Sequence, residues 1–187
     1  MTPLTLPLKK KFIVLIGFMG AGKTSLGRIL SKKLNLPHID TDYEIEKIKK
    51  MKINNIFEFY GESYFRELEQ DTIINIISKN EAAIISLGGG SFLNFKIREL
   101  IKKKCLSIWI NVDIDTVYER INNSKNIRPI FSKIKSKSDL EILLNKRNLI
   151  YKEANIKIES KKLNKSLLLE KVLFKITKYL ENGNENC

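Results

Sequence analysis

A glycine-rich run between a predicted strand and a predicted helix constrains the fold more than any other feature of this chain. Residues 17–24 read Gly-Phe-Met-Gly-Ala-Gly-Lys-Thr. The apolar residues 12–16 precede the run, and a helical pattern follows from Ser25 to Leu34. A strand, a G-x-x-x-x-G-K-T loop and a helix, in that order, form a phosphate-binding loop. A plain glycine turn between strand and helix would not require the Lys-Thr pair, so we expect an α/β fold that binds a nucleoside triphosphate.

The residue types of this loop suit phosphate chemistry. Glycines let successive backbone N–H groups turn towards phosphate oxygens, and the N-terminus of the following helix adds partial positive charge. We expect Lys23 to reach the β- and γ-phosphates of ATP, and the Thr24 hydroxyl to ligate Mg²⁺. The predicted ATP-binding residues of the loop are Gly20, Ala21, Gly22, Lys23, Thr24 and Ser25.

Short apolar runs alternate with longer helical patterns along the whole chain, which predicts a three-layer α/β/α fold with a five-stranded parallel sheet. The predicted strands are Lys11–Ile16, His38–Asp40, Ala82–Leu87, Leu106–Val112 and Asn155–Glu159. The predicted helices are Lys23–Leu34, Tyr43–Met51, Ile56–Tyr60, Glu62–Ser78, Phe95–Lys103, Asp115–Asn122, Ser138–Ala154 and Ser166–Leu180. The sequence from Ser138 to Glu141 has a capping-box pattern that predicts the start of its helix.

The length of 187 residues is that of one domain. We expect a short N-terminal arm over residues 1–10, a single domain over 11–180 and a C-terminal tail over 181–187. Residues 122–137 are polar and basic with no strong apolar periodicity. A loop of that length in a compact domain is often a lid.

The formal net charge of +13 permits a nucleic-acid surface, steering of anionic small molecules, or a general compositional preference for lysine. The lysines are scattered and lack interleaved aromatic residues, so we favour the compositional explanation with mild steering, and expect no nucleic-acid partner. No apolar run is long enough to span a membrane, and no apolar secretory segment follows Met1. Cys105 and Cys187 form no disulfide framework, which is consistent with a cytoplasmic location. We expect a monomer.

Two acids follow the second predicted strand, in the run Asp40-Thr41-Asp42. If the strand extends this far, both carboxylates point to the same side, near the phosphates. One could then support Mg²⁺ and the other could accept a hydroxyl proton. Alternatively, Asp42 caps the next helix and Asp40 is solvated. The sequence does not favour either of these two interpretations.

Three consecutive glycines, residues 88–90, follow the third predicted strand. They remove side chains where a ligand could lie against the backbone, although a flexible turn is the alternative. The fourth predicted strand ends near Asp113, which is a rival magnesium ligand or a helix cap.

Three arginines are candidates for binding a carboxylate or a phosphate, because a guanidinium offers two parallel hydrogen bonds. Arg66 shares a predicted helix face with Glu62 and Glu69, which in isolation favours a solvated ion-pair face. Arg128 and Arg147 are equally ambiguous alone.

Taken together, these segments resemble the bacterial type of shikimate kinase, in the family's order and at similar spacings, from about residue 11 to residue 180. The resemblance implies a nucleoside-monophosphate-kinase-like fold and transfer of a phosphoryl group from ATP to the 3-hydroxyl of shikimate. The matching segments are Gly17–Thr24, Asp40–Asp42, Gly61-Glu62 with Phe65-Arg66 and Glu69, Gly88–Gly90, Arg128-Pro129, and Lys146-Arg147 with Tyr151.

The resemblance also implies roles for single residues. Lys23 would neutralise phosphate charge, Asp40 would support the Mg²⁺ ligated by Thr24, and Asp42 would bind shikimate hydroxyls and accept the proton. The shikimate carboxylate would be bound by Arg66 and Arg147, with Glu69 orienting Arg66. The backbone of Gly89 and Gly90 would face the substrate ring, and Arg128, on the lid, would contact ATP and the transferring phosphoryl group.

The chain departs from the family pattern at three places. The lid carries Ile130 and Phe131 where two leucines are common, and Leu149 replaces a proline two residues after Arg147. Since proline pre-sets the local backbone, its loss bears on the placement of Arg147. For an arginine that often stacks on adenine, Arg120 is the nearest candidate.

Two other functions are compatible with parts of the pattern. A kinase for another small polyol or acid would share the phosphate-binding loop, although Arg66 and Arg147 favour a carboxylated substrate. A basic nucleic-acid-binding protein could use ATP as a switch, and would show salt-sensitive RNA binding without turnover. A GTPase is disfavoured, because no Asn-Lys-x-Asp motif follows the fourth predicted strand.

Overall fold

A parallel sheet forms the centre of the molecule. The computed structural model describes residues 10–79, 81–123, 136–160 and 164–184. Within these ranges, five strands pair in the order β2-β3-β1-β4-β5, and every pairing is parallel. This confirms the predicted sheet. The strands are β1 (Phe12–Ile16), β2 (His38–Asp40), β3 (Ala83–Ser86), β4 (Cys105–Asn111) and β5 (Ile156–Glu159).

Helices cover both faces of this sheet, as the apolar strands require. All five residues of β1 are buried, and so are all four of β3. Strands buried on both faces need an apolar layer on each side, which explains their runs of Ile, Val and Leu. The helices are α1 (Lys23–Leu34), α2 (Thr41–Lys49), α3 (Ile53–Ser78), α4 (Phe95–Lys104), α5 (Ile114–Asn122), α6 (Lys137–Tyr151) and α7 (Lys165–Asn184), with a short 3-10 helix at Ser91–Leu93.

Most predicted helix bounds lie within one or two residues of the observed ones, and the exceptions are informative. The capping box of α6 is formed by Ser136 and Asp139, so the prediction that Ser138 begins this helix is wrong. The α6 helix ends at Tyr151, three residues before the predicted end. At the other end of the chain, α7 continues past the predicted end at Leu180 to Asn184.

Gly61 divides α3 into the two helices that the sequence predicts. Its backbone has φ 79° and ψ 174°, a conformation outside the helical region that is open almost only to glycine. The first half carries Ile53 and Ile56, which pack with Ile45 of α2 in a small apolar cluster beside the main core. The second half begins with Glu62 and carries Arg66 and Glu69, so the break sets the direction of the helix that bears both side chains.

The register of the sheet aligns three strand ends. Asp40 of β2 pairs with Ser86 of β3, and Leu15 of β1 pairs with the same Ser86. The backbone N–H of Leu87 then donates to the carbonyl of Leu15 at 3.1 Å. The loops after β1, β2 and β3 therefore begin side by side at one edge, where open α/β sheets bind ligands.

Several sequence predictions lie outside the described residues. These are most of the N-terminal arm, Arg128 with Pro129, Ile130, Phe131 and most of the predicted lid, and the end of the C-terminal tail. Within the described ranges, no helix combines the length and apolar character needed to cross a membrane.

Candidate active site

The loop after β1 is built as the sequence predicts. Gly20 and Gly22 have φ angles of 73° and 89°, and Gly22 is the N-cap of α1. The Lys23 ammonium is buried and donates to the carbonyls of Gly17 and Phe18, both at 2.9 Å. These contacts hold a positive charge against the backbone of the loop, where it can meet phosphate oxygens.

Thr24 and Asp40 meet at the edge of this loop. The Thr24 hydroxyl donates to Asp40 Oδ2 at 2.6 Å. A hydroxyl and a carboxylate are the hard oxygen donors that Mg²⁺ prefers, and the ion typically takes one or two protein ligands with the rest supplied by phosphates and water. The described residues contain no group of three His, Cys, Asp or Glu side chains that could hold a metal without a substrate. The Thr24–Asp40 pair therefore fits magnesium that arrives with a nucleotide.

Strand β2 does not extend to Asp42, so the interpretation in which Asp40 and Asp42 point the same way along one strand is wrong. Strand β2 ends at Asp40, whose Oδ1 accepts from the backbone N–H groups of Asp42 and Tyr43. Asp40 is therefore the N-cap of α2, and Asp42 lies in the first helical turn instead of capping it. The two carboxylates still approach the same edge, Asp40 beside Thr24 and Asp42 beside the glycine loop after β3.

The glycine loop, residues 88–90, passes between two carboxylates. A Cβ atom on Gly88 would lie 2.7 Å from Asp42 Oδ1 and 2.7 Å from Glu69 Oε1. The Gly88 N–H donates to the hydroxyl of Thr41 at 3.0 Å, which fixes the loop to the start of α2. The first glycine is thus required by the close approach of two side chains of the protein itself, while the prediction that the glycine run faces a ligand stays a prediction.

Arg66 lies on the last glycine of the loop and is held there by a buried acid. A Cβ atom on Gly90 would lie 2.7 Å from Arg66 Nη1. The same nitrogen donates to Oε2 of Glu69 at 2.8 Å, and Glu69 is 2% exposed. Glu62, on the outer side of Arg66, is 57% exposed and contributes a weaker contact at 3.2 Å. The solvated ion pair that the sequence favours is therefore found only between Arg66 and Glu62, because the partner on the other side, Glu69, is buried.

Opposing effects act on the pKa of the Glu69 carboxyl. Burial raises the pKa of its carboxyl above the ordinary value, and Asp42 adds to the rise. Arg66 and a hydrogen bond from the Ser91 hydroxyl, at 2.7 Å, oppose that rise in the pKa. The charge that orients Arg66 therefore depends on its immediate hydrogen-bond donors.

Arg147 reaches the same glycine loop from α6. Its Nη1 donates to the carbonyl of Gly89 at 3.0 Å, and its guanidinium lies 5.0 Å from the ring centroid of Phe18 in the phosphate-binding loop. Tyr151 also donates to the Gly89 carbonyl. Burial raises the pKa of Tyr151 to about 12, so its hydroxyl keeps its proton. The α6 helix thus places Arg147 without the proline, and Leu149 points outwards at 63% exposure.

The two loops touch each other. A Cβ atom on Gly89 would lie 3.1 Å from the backbone nitrogen of Met19 in the phosphate-binding loop. Lys23 and Thr24 follow the phosphate-binding loop at the start of α1, while Arg66 of α3 and Arg147 of α6 contact the glycine loop. A triphosphate and a small carboxylated molecule could therefore bind side by side.

Two further candidate residues, Asp113 and Arg120, lie at either end of α5. Both carboxylate oxygens of Asp113 accept from Thr116, from its N–H and from its hydroxyl, both at 2.9 Å. Asp113 is therefore the N-cap of α5, as one of the two interpretations of the sequence predicts. Arg120 donates to the carbonyl of Gly20 at 2.7 Å, so it lies beside the phosphate-binding loop.

Thr41 and Ser91 were not identified as site residues from the sequence. Both side chains are completely buried and bond to the glycine loop, since the Ser91 hydroxyl lies 3.1 Å from the Gly88 carbonyl. In the sequence, only their positions next to Asp42 and Gly90 could indicate a role in the site. Small hydroxyl residues at strand ends are too common for this position alone to predict a functional role.

Comparison with known proteins agrees with this geometry. A family model described as "Shikimate kinase" matches residues 19–181. The shikimate kinase of Bartonella henselae is 36% identical over 189 residues, covering 96% of this chain and 89% of the relative. That of Sulfurihydrogenibium sp. is 40% identical over 166 residues, covering 89% and 98%.

A solved structure shows the same fold. Shikimate kinase from Acinetobacter baumannii, determined in complex with shikimate, superimposes with a TM-score of 0.83 at 31% identity, over 89% of this chain and 93% of that one. The residues matched by the family model include Lys23, Asp42, Arg66 and Arg147. The chain is therefore a member of the shikimate kinase family.

Proposed function

We propose that this protein transfers the terminal phosphoryl group of ATP to the 3-hydroxyl of shikimate, giving shikimate 3-phosphate for aromatic amino-acid biosynthesis. The observation that carries the proposal is the contact between the two loops. Arg66 of α3 and Arg147 of α6, which suit a carboxylate, contact the glycine loop, and this loop touches the phosphate-binding loop at Met19. An acceptor anchored by its carboxylate would therefore lie next to the phosphates of ATP.

The residues divide into a donor half and an acceptor half. In the donor half, the phosphate-binding loop residues from Gly20 to Ser25 bind the phosphates, with Lys23 neutralising charge as the phosphoryl group moves. In the acceptor half, Arg66 and Arg147 bind the carboxylate, Gly89 and Gly90 offer their backbone, and Asp42 accepts the proton of the attacking hydroxyl. Phosphoryl transfer needs little beyond this positioning and charge stabilisation.

Thr24 and Asp40 would hold Mg²⁺ in the donor half. Magnesium held there would supply positive charge that partly neutralises the phosphates. Asp40 also caps α2, so one residue links the metal site to the helix that carries Asp42. Arg128 is proposed to contact ATP and the transferring group from a lid over residues 122–137, a role that lies outside the described residues.

We propose that the enzyme is a monomer. We propose the cytoplasm as its location, because the reaction consumes ATP.

The test is release of ADP by the purified protein with Mg²⁺ and ATP, measured in a coupled assay with and without shikimate. We expect release only with shikimate, and a phosphate on its 3-hydroxyl by ³¹P NMR. The matched control is shikimate methyl ester, which lacks the carboxylate charge and should be a poor acceptor.

The Arg66→Ala variant tests the acceptor half of the site separately from the donor half. Arg66→Ala should raise the KM for shikimate at least about tenfold, since a charged hydrogen bond is lost, and leave the KM for ATP nearly unchanged. ADP release that ignores shikimate, or equal weakening of both substrates, would contradict the proposal.

A further inference from the structure

The 3-10 helix after the glycine loop supplies a hydroxyl that no substrate-binding assignment includes. Ser91 is its first residue and is completely buried. Its hydroxyl oxygen lies 2.7 Å from Glu69 Oε1 and 3.1 Å from the Gly88 carbonyl. One hydroxyl has one proton, and donation to the nearer, charged oxygen is the stronger choice.

Glu69 then has one donor for each oxygen. Oε1 accepts from Ser91, and Oε2 accepts from Arg66 Nη1 at 2.8 Å. Both donations favour the ionised carboxylate, which is the form that attracts Arg66. Without the hydroxyl, a carboxylate that is 2% exposed would keep one donor in place of two.

The other groups around Glu69 make this support necessary. Asp42 approaches from α2 across Gly88 and disfavours a second negative charge. Tyr151 of α6 keeps its proton and adds no compensating charge, while Arg147 is directed to the Gly89 carbonyl. Arg66, on the same helix as Glu69, is the opposite charge that contacts it directly.

We propose that Ser91 is a positioning residue for shikimate binding: its hydroxyl keeps Glu69 ionised, and Glu69 in turn holds Arg66 over Gly90. The inference rests on the proposed function, in which Arg66 binds the shikimate carboxylate. Ser91 does not touch the substrate in this scheme, and it acts only through Glu69.

The test compares Ser91→Ala with the wild type by calorimetric titration with shikimate and by turnover, from pH 5.5 to 8.5. We expect a dissociation constant for shikimate up to about tenfold higher at the pH values where Glu69 is ionised in the wild type and protonated in the variant, because one charge-assisted hydrogen bond to its carboxylate is lost. The KM for ATP should not change. Because the variant carboxyl has a still higher pKa, its binding should weaken at a higher pH than in the wild type, and the defect should shrink in alkaline solution.

Two further measurements separate this role from a structural one. The side-chain carboxyl of Glu69, labelled with ¹³C and assigned by comparison with Glu69→Gln, should titrate at higher pH in Ser91→Ala. In a Glu69→Gln background, adding Ser91→Ala should cost no further affinity. Ser107→Ala is the matched control, because Ser107 is equally buried but bonds to Asn155.

The outcomes are distinguishable. An unchanged Glu69 titration, or a defect that is the same at every pH, would overturn the role of Ser91 alone. Shikimate binding without ADP release would overturn the proposed function, and the dissociation constants would still test Ser91. A wild type that does not bind shikimate would overturn both.

Discussion

Three carboxylates at the edge of the sheet take different roles because their partners differ. Both oxygens of Asp40 accept hydrogen bonds, from the N-terminus of α2 and from Thr24. Both oxygens of Glu69 accept as well, from Arg66 and Ser91. These bonds place Asp40 at the phosphate-binding loop and Glu69 at Arg66. Asp42, in the first turn of α2, faces the glycine loop beside which we propose that the acceptor binds, and we propose it as the proton acceptor.

Replacing Asp42 by Asn should slow turnover by about 100-fold or more, the usual contribution of a positioned general base. The fold should survive, since Asn has the same shape, and circular dichroism with a thermal scan checks this. Asp115→Asn is the control, because Asp115 is an exposed acid that pairs with Lys137. Turnover by Asp42→Asn within a few-fold of the wild type would remove Asp42 from this role.

Single residues also show what a sequence can reveal. Lys23 and Thr24 are predictable because their chemistry depends on neighbours within eight positions. Arg66 and Arg147 are 81 positions apart, and only the fold or a known family pattern shows that they meet. Ser91 has no sequence signal, because its importance depends on contact with a carboxylate 22 positions earlier.

At the scale of helices and strands, the sequence predicts which elements exist better than it predicts the residues at which they begin and end. The five strands follow from apolar runs, and the break in α3 follows from Gly61. Helix starts are harder, because several polar residues compete to cap the same helix. Asp40 caps α2, although the sequence also allows Asp42 as the cap, and Ser136 caps α6, although Ser138 begins the predicted box. The backbone path of the preceding segment decides between such candidates.

The capping assignment of α6 gives a quantitative prediction. Ser136 accepts from the N–H of Asp139, and the Asp139 carboxylate accepts from the N–H of Ser136. Ser136→Ala should therefore lower the free energy of unfolding by about 1 kcal/mol and the melting temperature by about 2–4 °C. Calorimetry on purified protein measures both.

Ser138→Ala is the matched control two residues away. Ser138 lies inside α6 and is exposed, so its replacement by a better helix former should be neutral or slightly stabilising. A loss of stability from Ser138→Ala equal to that from Ser136→Ala would contradict the assigned cap.

At the scale of the whole molecule, the parallel sheet explains why one edge carries both halves of the site. The loops after β1, β2 and β3 start from aligned strand ends, so donor and acceptor groups from distant segments meet there. The basic residues at the opposite edge are separated from it by the length of a strand. Lys103 and Lys104, exposed at the end of α4, directly precede β4, whose seven residues span roughly 20 Å.

This separation predicts which charges attract the anionic substrates. At 0.1 M salt the Debye length is about 10 Å, so the two lysines are screened from the site, whereas Lys23, Arg66 and Arg147 are part of it. With shikimate saturating, kcat/KM for ATP should fall about two- to fivefold between 100 and 500 mM KCl, as local attraction is screened. The double variant Lys103→Glu and Lys104→Glu, which lowers the formal net charge of +13 by two for each replacement, should show the same salt dependence as the wild type. If the net charge of the molecule instead governed substrate capture, the double variant would have a lower kcat/KM at 100 mM KCl and a shallower fall with salt. A thermal scan checks that both proteins are equally folded.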